Sequence, residues 1–197
     1  MKHIAQFIFF FIISFASLAQ TQIGSDIRGV SFNDGCGRGL AISNDGRIVA
    51  AGSPSHLNKG HVRVFEDINE TWTQIGSDML GEFSNDGSGK VISLSGDGTI
   101  VAIASTQNSL AKGHVRVYKN INGTWTQIGS DIDGEAASDK SGTSVSLSSD
   151  GNTVAIGAPY NDGNGDNAGH VRVYKNVNNS WTQVGSDIDG EAVGDFF

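Results

Sequence analysis

Cysteine, proline and clustered positive charge are all scarce in this sequence. Cys36 is the single cysteine, so the chain forms no internal disulfide and depends on packing or bound ions for its stability. The formal net charge is −8, and the acidic residues are scattered singly, which is typical of a solvated surface. The missing clusters of lysine and arginine argue against nucleic-acid binding. Only two prolines and 27 glycines occur, and no segment keeps a helical apolar period, so we expect a β protein.

One long apolar run lies at the N-terminus. It spans Phe7–Leu18, follows Lys2, and ends beside Ala19 with the small residues that a signal peptidase reads. The run is shorter than the roughly 20 apolar residues that cross a bilayer. We therefore predict a secretory signal peptide at 1–19, cleaved before Gln20, and a mature protein that is secreted or held at the cell surface without spanning the membrane. A retained anchor is the alternative.

The remainder of the sequence repeats itself. One phrase occurs four times: TQIGSDIRG from Thr21, TQIGSDMLG from Thr73, TQIGSDIDG from Thr126 and TQVGSDIDG from Thr182. Between these copies other phrases recur in a fixed order, such as VSLSSDGNTVAIGAP and GHVRVYKNVNNSW. Self-similarity at a steady period indicates a repeat architecture.

The third unit predicts four short strands. Apolar residues alternate with serine in Ser144–Ser148, and the Asp-Gly pair in Ser149–Asn152 is typical of a tight hairpin turn. Thr153–Ala158 is almost entirely apolar, which indicates a strand covered on both faces. His170–Asn176 alternates again, and Trp181–Asp187 is the predicted fourth strand.

This pattern predicts an all-β fold, a β-propeller of four-stranded antiparallel blades. A β-solenoid-like repeat array is the alternative, although its coils are usually shorter. The predicted organisation is an N-terminal strand at 20–34, blades at 35–81, 82–134 and 135–190, and the start of another repeat at 191–197.

Three units do not complete a ring, which needs about four to eight blades. We therefore expect the sequence to be a fragment of a larger ring, in which Thr21–Asp26 pairs with the last blade. If the chain ends at Phe197, its uncovered apolar blade faces predict self-association.

The third unit resembles FG-GAP repeats, which build integrin α-like propellers and many secreted bacterial surface proteins. The residues that carry the resemblance are SGTSVSLSSDGNTVAIGAP, with Gly157-Ala158-Pro159 as the GAP element, and the terminal GDFF. The resemblance implies adhesion or ligand binding at the cell surface, often with calcium in the hairpin between the first two strands. The hairpins here depart from that pattern, because Ser43–Gly46, Ser95–Gly98 and Ser149–Asn152 each carry one carboxylate where calcium takes about six to eight oxygens.

A different loop offers the candidate calcium site. Asp162, Asn164 and Asp166 place oxygen-bearing side chains at alternate positions, the spacing that hard cations prefer. The equivalent loops of the other units carry a lysine and no carboxylate. Asp, Asn and Gly are also ordinary turn residues, and a turn is the favoured interpretation.

Several recurrent residues have both a chemical and a structural interpretation. One histidine precedes Val-Arg-Val in each unit: His61, His114 and His170. We expect these to serve their strands, since no carboxylate or cysteine accompanies them at ligand spacing. One tryptophan opens each predicted fourth strand: Trp72, Trp125 and Trp181. Packing between blades is favoured over sugar stacking for these.

No catalytic constellation is apparent in the sequence. Cys36 aligns with Ser88 and Ser141, which favours a small turn residue over a nucleophile. We therefore expect a non-enzymatic binding or adhesion scaffold whose partner is an extracellular protein or glycan, with Pro159–Gly169 as the first candidate contact loop. A carbohydrate-active propeller enzyme and a passive spacer are the alternatives, and no cofactor other than calcium is expected.

Overall fold

The computed structural model describes residues 21–197, so the predicted signal peptide at 1–19 lies outside the described residues. Within this range the strands form three antiparallel sheets, and the helical content is one 3-10 turn, His56–Asn58, and one short helix, α1 (Asn108–Ala111). None of the described helices is long and apolar enough to cross a membrane.

Each sheet contains five strands that follow one another along the chain. The first sheet comprises β1 (Gly39–Ile42), β2 (Ile48–Ser53), β3 (His61–Asp67), β4 (Trp72–Gln74) and β5 (Met79–Leu80). The second comprises β6 (Val91–Leu94), β7 (Ile100–Ser105), β8 (His114–Ile121), β9 (Thr124–Gln127) and β10 (Ile132–Asp133). The third comprises β11 (Ser144–Leu147), β12 (Thr153–Ala158), β13 (His170–Val177), β14 (Ser180–Gln183) and β15 (Ile188–Asp189).

The fourth strand is broken in two, so the prediction of a continuous strand at Trp181–Asp187 is wrong. β14 ends at Gln183, and β15 then pairs with the other end of β13. Gly185 lies at a φ of 74°, in the left-handed region that interrupts a strand. The Nε2 amide of Gln183 donates across the break to Asp187 Oδ1 at 2.6 Å. The break therefore recurs at a fixed place in each sheet.

The predicted N-terminal strand at 20–34 is also wrong, because residues 21–34 form no strand. In later units this phrase pairs with the third strand of its own sheet, and no third strand precedes its first copy in the described chain. The segment instead lies against the first sheet. The indole Nε1 of Trp72 donates to the Ile23 carbonyl at 3.1 Å, and Arg63 Nη2 donates to the Arg28 carbonyl.

The tight turn between the first two strands of each sheet is confirmed. In the third sheet Asp150 Oδ1 accepts hydrogen bonds from Ser148 Oγ at 2.5 Å and from the Asn152 N–H at 3.0 Å. Gly151 follows at a φ of 70°, where glycine carries no steric cost. The Asp-Gly pair therefore closes the hairpin by itself.

The three sheets stack face to face as propeller blades. The first strands lie together, since β6 contacts both β1 and β11. The first apolar layer joins the first two sheets and contains Ala50, Val62, Val64, Met79, Ile92, Leu94, Val101 and Ile103. The second joins the last two sheets and contains Ile100, Ala102, Ala104, Val115, Val117, Ile128, Ile132, Leu147, Val154, Ile156 and Tyr174. All six residues of β7 are buried, so the central sheet is covered on both faces. In β12, the strand at Thr153–Ala158 that was predicted to be covered on both faces, Thr153 and Ala155 are only half-buried because no described sheet covers that side.

These features exclude the β-solenoid alternative, because each unit completes its own antiparallel sheet. In a solenoid, successive units would share long sheets instead. The two outer sheets each keep one face that no other described sheet covers. On the first sheet this face exposes Leu40 and Ile42, which are 63% and 61% exposed. The expected apolar end faces are therefore present.

The glycine of the second hairpin provides a test of blade stacking. A methyl group on Gly98 would lie 2.6 Å from Cβ of Ile48 in the neighbouring blade, and Gly98 has a φ of 72°. Gly98→Ala is expected to lower the free energy of unfolding by about 2–4 kcal/mol, from backbone strain and overpacking combined. Urea denaturation measures this loss.

Gly123→Ala is the matched control. Gly123 has a φ of 84° and no atom within 4 Å of an added Cβ, so only backbone strain of about 1–2 kcal/mol is expected. Equal losses in the two variants would show that the sheets do not stack as described.

Candidate functional site

One edge of the three blades is built from two kinds of segment, which together we name the loop face. The first kind joins the second strand to the third, at 54–60, 106–113 and 159–169. The second kind, which we call linkers, leads into the first strand of each sheet, at 29–37, 81–89 and 134–142. The two kinds alternate in space. The Ser55 N–H donates to the Asp34 carbonyl at 3.0 Å, and the Ser88 N–H donates to the Lys59 carbonyl at 3.0 Å. Loops from neighbouring blades therefore form one surface.

A buried aspartate fixes each linker of the loop face. Asp34, Asp86 and Asp139 are at most 4% exposed. Asp86 Oδ2 accepts hydrogen bonds from the N–H groups of Glu82 and Phe83, both at 2.7 Å. The linkers are therefore held by side chains rather than by strand pairing.

The charge of this aspartate is retained despite its burial. Burial acts to raise the pKa of Asp34, but the N–H groups of Ser31, Cys36 and Val30 outweigh that effect and hold the pKa below its ordinary value. Backbone N–H groups that point at a carboxylate stabilise its ionised form. The linker at 29–37 therefore presents a fixed negative charge beneath the loop face.

The strand-connecting loops meet these aspartates with one equivalent residue. In the second unit Asn108 Nδ2 lies 3.3 Å from Asp86 Oδ1, and in the third Asn161 Nδ2 donates to Asp139 Oδ2 at 2.9 Å. His56 takes the same place in the first unit. Two loops thus share an anchoring hydrogen bond, and the three loops differ in conformation around this position, as 3-10 turn, short helix and irregular turn.

A cleft of about 190 Å³ opens on the loop face between the second and third blades. Its lining residues are Lys90, Val91, Thr106, Gln107, Lys140, Thr143 and Tyr160. Lys140 Nζ lies 4.2 Å from the centroid of the Tyr160 ring, a cation–π contact. The cleft therefore combines two cationic side chains with an aromatic ring.

In the loop Pro159–Gly169, the side chains of the three candidate calcium ligands form hydrogen bonds with other groups of the protein. Asp162 Oδ1 accepts from the Asn167 N–H at 2.8 Å, and Asp166 Oδ1 accepts from Asn167 Nδ2 at 3.1 Å. The amide of Asn164 donates to the Gly190 carbonyl at 2.8 Å. These bonds are the ones that a turn requires, and calcium binding here stays a prediction.

The hairpins that hold calcium in similar repeats do not suit that ion here. In the first unit Asp45 Oδ1 accepts from Ser43 Oγ at 2.6 Å and from the Arg47 N–H at 3.0 Å. The hydrogen bond from Ser43 and that from Arg47 keep the pKa of Asp45 below its ordinary value. With one carboxylate occupied by protein donors, the turn lacks the oxygen ligands that calcium requires.

The recurrent histidines are buried, and each lies beside a carboxylate. His61, His114 and His170 are at most 1% exposed. Their Nδ1 atoms lie 3.1, 3.7 and 3.3 Å from carboxylate oxygens, in the pairs His61–Asp78, His114–Asp131 and His170–Asp187. The expectation that no carboxylate accompanies these histidines is therefore wrong.

Strand pairing explains why the sequence did not reveal this partner. β5 pairs with the start of β3, which brings the aspartate of the recurrent Gly-Ser-Asp phrase next to the histidine. The sequence signal for this pair was that the histidine and the aspartate both recur once in every unit. In addition, the Nε2 atoms of all three histidines are buried and have no hydrogen-bond partner among the described residues.

Cys36 is a partly buried turn residue. Its N–H donates to Asp34 Oδ1 at 3.2 Å, and its sulfur lies 3.9 Å from Arg63 Nη2. In the described structure neither contact supplies a base that could activate a thiol nucleophile. Trp125 and Trp181 pack between blades as predicted, since they lie against the two apolar layers, whereas Trp72 donates to the Ile23 carbonyl of the N-terminal segment.

Burial of the histidines predicts a loss of stability in mild acid. Burial lowers the pKa of His114 below its ordinary value of 6.5, and it outweighs the opposing effect of Asp131. Because the unfolded chain then takes up a proton more readily, the free energy of unfolding should fall as the pH drops below about 6.5. Urea titrations at about pH 7.5 and about pH 5.5 measure this slope, in a range where ordinary carboxyl groups stay ionised.

A His114→Gln variant is the control for that slope. We expect the variant to be less stable at both pH values but to lose less stability between them. An unchanged slope would show that His114 does not contribute to the pH dependence.

Comparison with solved structures shows similar folds in two candidate 6-phosphogluconolactonases. The protein from Bacteroides fragilis is 17% identical with a TM-score of 0.54, over 76% of this chain and 38% of that protein. The protein from Bacteroides uniformis is 16% identical with a TM-score of 0.53, over 79% and 41%. Both are propeller-type folds. At this identity the likeness shows the fold alone, and this chain spans about two fifths of their length.

Sequence comparisons give one further result. No curated protein matches the chain significantly. The model of the FG-GAP repeat family matches residues 131–174, which run from the end of the second blade to Tyr174 in β13. This match confirms the resemblance that the GAP element and its flanking strands indicated. Residues 131–174 are therefore an FG-GAP repeat, carried in a chain whose units fold as β-propeller blades.

Proposed function

We propose that this chain is an exported, non-enzymatic binding scaffold that presents its loop face to an extracellular protein or glycan. The observation that carries the proposal is a contrast within the repeats. The contacts that join the blades are the same in every unit, whereas the loops at one edge differ from unit to unit.

The joining contacts are side-chain donors aimed at carbonyls of the preceding broken strand. Trp125 Nε1 donates to the Ile75 carbonyl at 2.8 Å, and Trp181 Nε1 donates to the Ile128 carbonyl at 2.9 Å. Arg116 Nη2 reaches the Leu80 carbonyl at 2.9 Å in the same way. Repetition of these bonds favours a rigid support, and loops on a rigid support are common binding surfaces.

The cleft beside Tyr160 is the part of the loop face best suited to a ligand. Lys90 and Lys140 supply positive charge, and the Tyr160 ring offers a flat apolar surface. Lysine and an aromatic ring together favour an acidic sugar or an acidic side chain. Because Tyr160 belongs to the divergent loop Pro159–Gly169, the cleft coincides with the loop that the sequence singled out.

The absence of catalysis is also part of the proposal. A propeller enzyme needs acids or histidines that are unique to particular blades, whereas the buried histidine–carboxylate pairs recur in all three. Buried pairs that recur with their strands favour a structural role. The similarity to candidate lactonases is a similarity of fold, and fold alone does not determine activity.

Replacement of the divergent loop tests the binding proposal. A variant in which the second unit's Thr106–Gly113 replaces Pro159–Gly169 should lose retention on a printed array of acidic glycans and immobilised acidic proteins, by about tenfold or more if one hot-spot contact is lost. Retention of the fluorescently labelled mature chain is the measurement.

An Asn179→Gly exchange is the matched control, since it copies the second unit's Gly123 into the hairpin joining β13 to β14. We expect this control to bind as the parent does. If the parent binds no probe on the array, or if the loop replacement binds equally well, a passive spacer becomes the better description.

Export has its own test. When the full sequence is expressed with its native N-terminus in a bacterial host, we expect mature protein that begins at Gln20 to appear outside the cytoplasm, because the first 19 residues have the features of a signal peptide. Intact mass spectrometry of the recovered protein identifies the N-terminus. Recovery of uncleaved protein that begins at Met1 would contradict export by cleavage.

A further inference from the structure

The first blade departs from the other two at the anchor of its strand-connecting loop. Where the second and third units have Asn108 and Asn161, the first has His56. The exchange replaces an amide, which donates a hydrogen bond to the linker aspartate, by an imidazole. An imidazole is a common ligand of transition metals, whereas an amide nitrogen is not.

This exchange brings two histidines and a carboxylate together. Asp34, His56 and His61 each offer one ligand atom, and these atoms lie within 4.8 Å of one another. The two imidazole rings are stacked, with centroids 4.0 Å apart and 28° between their planes. Stacked rings direct their nitrogen lone pairs alongside one another, so coordination of one ion by both imidazoles requires rotation of the partly exposed His56 ring.

A second observation points to a ligand at this cluster. The His61 side chain is 0% exposed, and neither of its ring nitrogens has a hydrogen-bond partner among the described residues. Asp78 Oδ2 lies 3.1 Å from its Nδ1, in a position to orient the ring. His61 is therefore a buried, unsatisfied imidazole with a carboxylate near Nδ1, and a carboxylate beside the second nitrogen is common for a histidine that binds a metal.

The remaining two groups are also placed for coordination. Asp34 is held by three backbone N–H groups, those of Val30, Ser31 and Cys36, and a fixed carboxylate loses little freedom on binding an ion. His56 is partly exposed, and its Nδ1 lies 3.3 Å from Ser31 Oγ. Its Nε2 is therefore the nitrogen that we expect to bind the ion.

We propose that Asp34, His56 and His61 form a binding site for a divalent transition metal ion, with Zn²⁺ as the best match. Two imidazoles and one carboxylate are a common protein ligand set for Zn²⁺, and water completes the tetrahedral geometry. Asp78 acts as a positioning residue through His61. The bound ion joins the 54–60 loop to the 29–37 linker, and the site does not depend on which ligand the loop face binds.

The other two blades lack this site although they contain the same histidine and aspartates. In the second blade Asn108 already occupies Asp86, and Glu82 pairs with Arg116 at 3.3 Å. In the third blade Glu135 pairs with Arg172 at 3.4 Å. Val30 stands at the equivalent place in the first unit, so its cluster has no such ion pair. Possible ligand atoms also lie within 4.8 Å of one another in two further clusters, Glu82–His114–Asp131 and Glu135–His170–Asp187. Of the three clusters, only Asp34–His56–His61 has a second imidazole.

Calorimetric titration with Zn²⁺ tests the proposal. The protein is the mature chain without a polyhistidine tag and with Cys36→Ser, because a thiolate would bind Zn²⁺ by itself. Serine stands at this position in both other units. We expect one Zn²⁺ per chain, a rise in Tm with added Zn²⁺, and no displacement by excess Ca²⁺, since imidazole favours Zn²⁺ over hard cations.

The decisive variant is His56→Asn in the same background. It recreates the residue of the other two units, so its Tm without metal should match that of the parent, while Zn²⁺ binding and the rise in Tm are lost. Asp78→Asn should weaken binding by about 10–100-fold without changing the stoichiometry. Asp162→Asn, in the divergent loop, should leave Zn²⁺ binding unchanged.

Three results would overturn the site. The first is the absence of Zn²⁺ binding to the parent chain at millimolar concentration. The second is a His56→Asn variant that folds and binds Zn²⁺ with the same stoichiometry and affinity. The third is displacement of Zn²⁺ by Ca²⁺, which would indicate carboxylate ligation without the histidines.

Discussion

The whole arrangement depends on hydrogen bonds that side chains of one blade donate to the backbone of the blade before it. The fourth strand breaks between its two halves, and its carbonyls there have no ladder partner. Trp125 and Arg116 donate to the carbonyls of Ile75 and Leu80, and the corresponding residues repeat these bonds at the next seam. A buried carbonyl without a donor costs about 1–3 kcal/mol. Each blade therefore supplies hydrogen-bond donors to the backbone of the preceding blade. These bonds align the two sheets, and the apolar layers pack between sheets aligned in this way.

This division of roles leaves the loop face free to vary. The linkers are fixed by their own buried aspartates, so the strand-connecting loops need to supply only one anchoring residue each. Asparagine fills that role in two blades, and His56 stands at the equivalent position in the first. A single exchange at this anchor changes a hydrogen-bonded contact into a cluster of metal-binding groups, because His61 and Asp34 are already in place beneath it. Different chemistry can thus be added to one blade without alteration of its sheet.

Local features of the chain were predictable, and features that depend on pairing were not. The hairpin at Asp150-Gly151 and the strand at Thr153–Ala158 follow from turn chemistry and apolar pattern, and both are present. The fourth strand was predicted as one continuous strand at Trp181–Asp187, yet Gly185 divides it. The histidine–aspartate pairs were also missed, because His170 and Asp187 meet only when β15 pairs with the start of β13.

The sequence alone determined the repeat unit, the tight Asp-Gly turn between the first two strands and the family resemblance. These features depend on residues close together in the chain. Tertiary structure decided where the fourth strand breaks and which face of each sheet is covered. It also decided that Asp34, His56 and His61 share one place on the loop face. These outcomes depend on contacts between blades and between strands distant in sequence, and a periodic pattern carries no information about the distance between residues that only packing brings together.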